Sequence, residues 1–240
     1  MEIDAVVHAK GTSERLPSKN KLMLGKHPLF TYAISNALNA SMIRDVYIDS
    51  EDEDILHMGE HYGAIRLERP KELATNETTG DDLAYWQAQN INADIIVQVV
   101  PTSPFLRPTT IDKILERMVE GDKDSATTIE RAGPYLWIDY EQKYYKDNVL
   151  LNSQSEDLAY VMAETTGFYA FKREFALNNK RRLNPESCLF YEISKFEAVN
   201  IDTFQDFEFA LLIELGLQKY FEDRENGKLG SATVQEFTSR

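Results

Sequence analysis

The twelve residues from Ala9 to Asn20 (A-K-G-T-S-E-R-L-P-S-K-N) hold the densest set of groups able to handle a phosphate. Lys10, Arg15 and Lys19 place positive charge on either side of a turn, and Ser13 adds a hydroxyl donor. Gly11, with no Cβ, lets backbone approach a ligand closely. In such a loop the N–H groups surround phosphate oxygens while cationic side chains neutralise them. The spacing is neither G-x-x-x-x-G-K-[ST] nor G-x-G-x-x-G, which excludes two common phosphate-binding loops.

Charge placement sharpens this reading. Residues 10–26 carry Lys10, Arg15, Lys19, Lys21 and Lys26 against Glu14 alone, in a chain whose net charge is −14. A general nucleic-acid binder needs a basic face to displace counterions, so the overall charge argues against one. The local excess fits a small polyanion. Its plain alternative is a solvated basic loop.

The loop must be held by regular structure, and apolar spacing predicts which. The run Ile3 to Ala9 reads as a buried first strand. A helix follows from Pro28, a residue suited to a first turn, with Leu29, Ala33, Ala37 and Ala40 on one face. Residues 45–48 read as a second strand. Ser50 is the expected N-cap of an acid-led helix that stops at Gly63. Strands are expected at 64–67, 94–100 and 125–129, and helices at 81–90 and 108–120. Strands alternating with helices imply right-handed βαβ units and a mostly parallel, Rossmann-like sheet with helices on both faces. Such sheets bind ligands beyond the carboxyl ends of their strands, so loops 9–20, 49–51 and 100–107 should converge.

The pattern changes after Gly133. Residues 134–165 read as an inserted hairpin lobe rich in tyrosine and asparagine, able to form a dimer contact. The sheet is expected to resume at 167–171 and again at Phe196 to Ile201, before a helix over 204–221. One domain over residues 1–221 and a polar, disordered tail over 222–240 complete the expected layout. The length of 240 residues and 42% hydrophobic content suit that single domain. Cys188, the sole cysteine, excludes an internal disulfide and a cysteine metal cluster. No apolar run suits a membrane span, and the N-terminus lacks the marks of a signal peptide, so a cytoplasmic protein is expected. His57 and His61 share a helix face without a third ligand in sight, which favours an exposed surface over a metal site.

The 9–20 loop resembles the nucleotide-binding signature of the CMP-sugar synthetases, the acylneuraminate and Kdo cytidylyltransferases, roughly A-R-x-x-S-x-R-[LI]-P-x-K-N. Ala9, Ser13, Arg15, Leu16, Pro17, Lys19 and Asn20 match it, and Lys10 stands for the usual arginine. Arg69-Pro70-Lys71-Glu72-Leu73-Ala74 resembles the R-P-x-E-L-A segment that helps surround cytosine. Pro101 to Arg107 resembles the P-T-S-P-x-x-R loop at the sugar site, Gly167-Phe168-Tyr169 the strand lining the sugar pocket, and Ile201-Asp202-Thr203 with Asp206 a late I-D-T-x-x-D motif. The motifs keep the family's order over most of the chain.

The resemblance implies a reaction: CTP plus an acidic sugar gives a CMP-sugar and pyrophosphate, with Mg²⁺, in a homodimer. It implies catalytic roles for Lys10, Arg15 and Lys19, which would stabilise charge on phosphoryl oxygens. It implies nucleotide contacts from Ala9, Gly11, Ser13, Asn20, Arg69 and Thr78. Acceptor contacts would come from Thr102, Ser103, Arg107, Glu164 and Thr166, and Asp202 would ligate the metal.

Three departures bear on the acceptor and the metal. Val100 stands where the family has glutamine, and Asn200 replaces the first of two late aspartates. Glu164 occupies a position where sialic-acid enzymes carry an arginine for the sugar carboxylate. An acid there would repel that group, at a cost of roughly 2–5 kcal/mol. The acceptor is therefore expected to be a related acidic or amino sugar, or an amine-bearing phosphonate, instead of plain sialic acid. Two other functions stay open: a nucleotidyltransferase of this fold with another base or acceptor, and a nucleotide-binding regulatory protein that has lost catalysis.

Overall fold

The computed structural model describes residues 1–132, 136–138, 141–143 and 161–225. Strand β1 (Ile3–His8) leads through the loop to a two-residue hairpin, β2 (Met23–Leu24) with β3 (His27–Pro28), and then to helix α1 (Leu29–Leu38). There follow β4 (Val46–Ser50), α2 (Glu53–His61), β5 (Ile65–Glu68), α3 (Gly80–Asn90), β6 (Ile95–Val99), α4 (Pro108–Glu120) and β7 (Ser125–Arg131). The short antiparallel pair β8 (Leu136–Ile138) and β9 (Glu141–Lys143) precedes the long β10 (Met162–Lys172). Helix α5 (Arg173–Asn179), strand β11 (Cys188–Glu192) and helix α6 (Phe204–Glu225) close the described chain.

Seven strands form one sheet in the order β11-β7-β10-β6-β1-β4-β5. All neighbours pair in parallel except β10, which runs antiparallel to both β6 and β7. Period-two alternation explains how two layers of helix attach. Ile3, Ala5 and Val7 of β1 join a core with Phe30 and Ile34 of α1, Ile55 of α2 and Ile114 of α4. Val6, facing the other way, packs with Ala84 and Ala88 of α3, Ile96 of β6 and Ala176 of α5. The expected doubly covered, mostly parallel sheet is what the chain forms.

Several local expectations need correction. Asp52, not Ser50, caps α2: its carboxylate accepts from the Ile55 N–H at 3.1 Å, while Ser50 ends β4. Pro28 lies just before α1 instead of inside its first turn. Residues 196–201 form no strand. Phe196, Val199 and Ile201 instead pack beneath α6, and β11 takes the sheet position beside β7. Helix α5 went unread in the sequence, and α6 continues to Glu225, into the expected tail. Of the expected lobe, 134–165, the β8–β9 pair and residues 161–165 are described; the rest, and residues 226–240, lie outside the described residues.

Candidate active site

A third apolar cluster sets the phosphate loop in place. Leu16, in the middle of the loop, is buried with Leu24, Leu29, Phe105, Ile201 and Ala210. Burying an apolar side chain in an otherwise polar loop ties it to α6 and to the segment before it. From inside, Asn20 donates its amide Nδ2 to the Lys10 carbonyl at 2.8 Å, closing the loop across its base. Arg15 and Lys19 are thereby presented on the same side as Asp202.

The loops at the carboxyl ends of β1, β5 and β6 enclose a cleft of about 500 Å³. Lys10, Ser13, Arg15, Lys19 and Asn20 line it, together with Arg69, Thr78 and Thr102, all singled out by the sequence. His8, Thr75, Asn76 and Val100 line it as well. Asn76 is a residue the sequence reading missed. Its Oδ1 accepts from Lys10 Nζ at 2.5 Å and its Nδ2 donates to Glu14, so it bridges the two sides of the cleft mouth. Its signal was available only as proximity to Arg69 in the chain.

Other expected residues stand back from the cleft. Ala9 is fully buried in the core, its N–H bonded to the Asp49 carbonyl at 2.9 Å. Gly11 donates its N–H to Glu51 Oε1 at 2.8 Å, so that donor is engaged. The reason for glycine here is Asp52: an added Cβ would stand 2.8 Å from the Asp52 Cβ and closer still to its carboxylate. Ser103 is buried, its Oγ without a hydrogen-bond partner among the described residues and set against Gly167. The Arg107 guanidinium lies 5.6 Å above the Phe196 ring. Thr166 is an exposed, positive-φ residue within the irregularity between β10 and β7. Glu164 is exposed too and accepts from the Tyr169 hydroxyl at 2.5 Å. Its carboxylate does not line the cleft, so the repulsion expected there has no direct geometric basis.

Beneath the cleft runs a buried polar chain that the sequence did not suggest. Arg69, 4% exposed, donates Nε to Asp49 Oδ1 at 2.7 Å and Nη2 to the Asp49 carbonyl at 2.9 Å. Asp49 Oδ2 accepts from Gln87 Nε2 at 2.7 Å, and Gln87 Oε1 accepts from Gln98 Nε2 at 2.8 Å. Gln98 Oε1 in turn accepts from Arg182 Nη1 at 3.3 Å. Burial pushes the Asp49 carboxyl up, and the Arg69 guanidinium and Gln87 amide pull it back. His8 lies above this chain. Burial and the nearby Arg69 and Arg182 charges hold its imidazole down to about 3, so it is neutral at pH 7.

Asp202 carries the question of the metal. Its Oδ1 is 3.0 Å from both Arg15 Nη2 and Lys19 Nζ, and its Oδ2 accepts from Asn200 Nδ2 at 3.0 Å. Thr203 caps α6: its Oγ1 accepts from the Asp206 N–H at 3.3 Å, and the Asp206 carboxylate accepts in return from the N–H groups of Thr203 and Asp202. Among the described residues no group of three or more His, Cys, Asp or Glu is arranged to hold a metal. A bare divalent ion does not fit beside two cations. An ion arriving with phosphate oxygens does fit, because those oxygens can take over Arg15 and Lys19 and leave one hard carboxylate free. His57 is exposed on α2 and pairs there with Glu53 and Glu60. Among the described residues no helix is long and apolar enough to cross a membrane.

Known proteins place this architecture. A solved CMP:2-keto-3-deoxy-manno-octonic acid synthetase complexed with CTP superposes with a TM-score of 0.70 at 16% identity, over 90% of this chain and 99% of that one. At that identity the likeness speaks for the fold. In sequence, the chain is 28% identical to a pseudaminic acid cytidylyltransferase of Campylobacter jejuni, over 87% of this chain and 94% of that protein. It is 24% identical to an N-acylneuraminate cytidylyltransferase of Danio rerio, covering 87% of this chain and 50% of that longer protein. The family model described as cytidylyltransferase matches residues 5–225, which takes in the phosphate loop, the cleft and the buried polar chain alike. This chain belongs to the cytidylyltransferase family.

Proposed function

We propose that the chain transfers CMP from CTP to an acidic sugar of the sialic-acid-like or ulosonic type and releases pyrophosphate. The observation that carries this reading is the meeting of Lys10, Arg15 and Lys19 around one cleft in a member of the cytidylyltransferase family. Arg69 and Thr78 extend that cleft on the side where the pyrimidine is accommodated in this reading, and Thr102 borders the acceptor side.

In the reaction an acceptor oxygen attacks the α-phosphorus in line. The new P–O bond forms as the bond to the bridging oxygen of pyrophosphate breaks. Lys10, Arg15 and Lys19 stabilise the charge that collects on the phosphoryl oxygens, and Asn20 keeps the loop that carries them closed. Asp202, together with oxygens of the triphosphate, would hold Mg²⁺, which would further neutralise those oxygens. The acceptor's proton leaves to solvent.

We further propose a homodimer in the cytoplasm, serving cell-surface glycan synthesis. Exposed apolar residues such as Phe190 and Met162 on the β11–β7–β10 side of the sheet support a subunit contact.

The test is pyrophosphate release with Mg²⁺ and each ribonucleoside triphosphate, against pseudaminic acid, N,N'-diacetyllegionaminic acid, N-acetylneuraminate and 3-deoxy-manno-octulosonate. The expected result is turnover with CTP alone among the triphosphates and with one acceptor well above the others. Equal turnover with UTP, or CTP binding with no turnover on any acceptor, overturns the reading.

A further inference from the structure

Arg182 has no part in the cleft described above, yet its surroundings are unusual for a surface arginine. It comes from the loop after α5 and lies half-buried over the N-terminal turn of α3. Its guanidinium carbon stacks 3.5 Å from the centre of the Tyr169 ring on β10. Its Nη1 donates to Gln98, the end of the buried chain that leads to Arg69. Among the described residues no carboxylate comes within 4.0 Å of the guanidinium, as is also the case for the half-buried Arg107 and Arg173, whereas Arg66 and the buried Arg69 are each paired.

The network therefore holds one carboxylate, Asp49, between two guanidiniums, and the uncompensated charge sits at the Arg182 end. Space beside it is open: Thr79, Gly80, Asp81, Arg182 and Leu183 bound a hollow of about 300 Å³. Thr78 lines the cleft and Thr79 the hollow, so the same turn into α3 borders both. Gly80 makes room for the guanidinium, because an added Cβ there would stand 2.5 Å from Arg182 Cζ. Two acids lie nearby, and both are engaged. Asp81 Oδ1 accepts from the Arg182 backbone N–H at 3.0 Å, and Glu164 accepts from the Tyr169 hydroxyl beneath the stack.

We propose that Arg182 binds the carboxylate of the acceptor sugar, doing from a distant loop what an arginine three residues before Gly167 would otherwise do. A guanidinium flattened on an aromatic ring keeps its N–H edge free and pre-set for bidentate capture of a carboxylate. Asp81 then borders the same hollow, where its carboxylate suits an N–H or O–H donor of the sugar. This inference deepens the acidic-sugar reading and rests on it.

The experiment measures steady-state kinetics of the full chain with CTP and the best of the four acceptors, offered as the free acid and as its methyl ester. Variants are Arg182→Lys, Arg182→Ala and Gly80→Ala, the last displacing the guanidinium without removing it. The expected result is an acceptor KM raised about 100-fold in R182A, with smaller rises in R182K and G80A. Affinity for CTP and the melting temperature should change little, and the preference for acid over ester should disappear in R182A. An unchanged acceptor KM in R182A, or a preference for acid that survives it, overturns the role of Arg182 alone. A wild-type chain that binds CTP but turns over no acceptor overturns the transfer reading and this one with it.

Discussion

Lys19 Nζ lies 3.0 Å from Asp202 Oδ1, and Arg15 reaches the same oxygen at the same distance. Two cations from the first loop are thus parked on one carboxylate from the last loop before α6. Without nucleotide this arrangement satisfies all three side chains. In the proposed reaction, phosphate oxygens would compete for the cations and release the carboxylate for a hard metal. Magnesium and CTP should therefore bind with positive coupling. Calorimetric titration of Mg²⁺ should give no heat of binding to the free protein and clear binding in the presence of a non-hydrolysable CTP analogue. In Asp202→Asn that second binding should weaken at least about tenfold, within the usual range of coupling between sites. Tight Mg²⁺ binding to the free protein would contradict this account.

The two cations should not be equal in effect. The Lys19 side chain is 13% exposed and also donates to the Ile201 carbonyl at 2.9 Å, whereas the Arg15 side chain is 67% exposed. Charge held away from water acts more strongly on a transferring phosphoryl group. Lys19→Met is expected to lower kcat by about 10²–10³-fold, the size seen on removing one preorganised stabilising group. Arg15→Met should act mainly on the KM for CTP. Rapid-quench measurement of CMP transfer in both variants checks the split, and equal losses in kcat would count against it.

The loop from Ala9 to Asn20 and the sheet behind it were legible in the sequence because each is locally encoded. Buried strands such as Ile95–Val99 read as apolar runs, and the cations lie within one short loop. What was not legible depends on contacts between distant segments. Arg182 meets Tyr169 and Gln98 only because α5 returns the chain over the start of α3. Residues 196–201 carry apolar residues in strand-like numbers, but Ser194 Oγ bonds Glu197 at 3.0 Å in a tight turn, and Ile201 donates to the Thr102 carbonyl. That geometry sends their side chains under α6 instead of onto a sheet edge. At α2 two capping residues stand two apart, and Asp52 prevails because Ser50 is held in β4 beside β5.

Asp49 and Arg69 form a buried pair on which the cleft floor rests, with side chains 0% and 3% exposed. Removing one partner leaves the other charge without compensation in a medium that solvates it poorly. Asp49→Ala is expected to destabilise the fold by about 3–5 kcal/mol, measured by urea unfolding at pH 7. Asp49→Asn, which keeps an acceptor for Arg69 and Gln87, should cost less. Loss of under about 1 kcal/mol in D49A would show that the pair contributes specificity without stability.

His8 makes stability depend on pH in a defined sense. Its imidazole is held down from 6.5 to about 3, first by burial and then by Arg69 and Arg182. Below pH 6.5 the unfolded chain takes up a proton at this residue that the folded chain refuses. The folded state then loses stability as the pH falls from 6.5 toward 3, and above 6.5 the effect vanishes. At pH 5 the loss amounts to about 2 kcal/mol, from 1.36 kcal/mol per pH unit of unmatched proton binding. His8→Gln removes the titrating group at similar size. Denaturant unfolding at pH 7 and pH 5 should therefore show a drop in the wild type that exceeds the drop in H8Q by about that amount. The same neutrality means that kcat should show no inflection from His8 between pH 5 and 8, since an imidazole already neutral cannot titrate there. Identical pH dependence of stability in wild type and H8Q would mean that His8 charges freely in the folded chain, in spite of the two guanidiniums beside it.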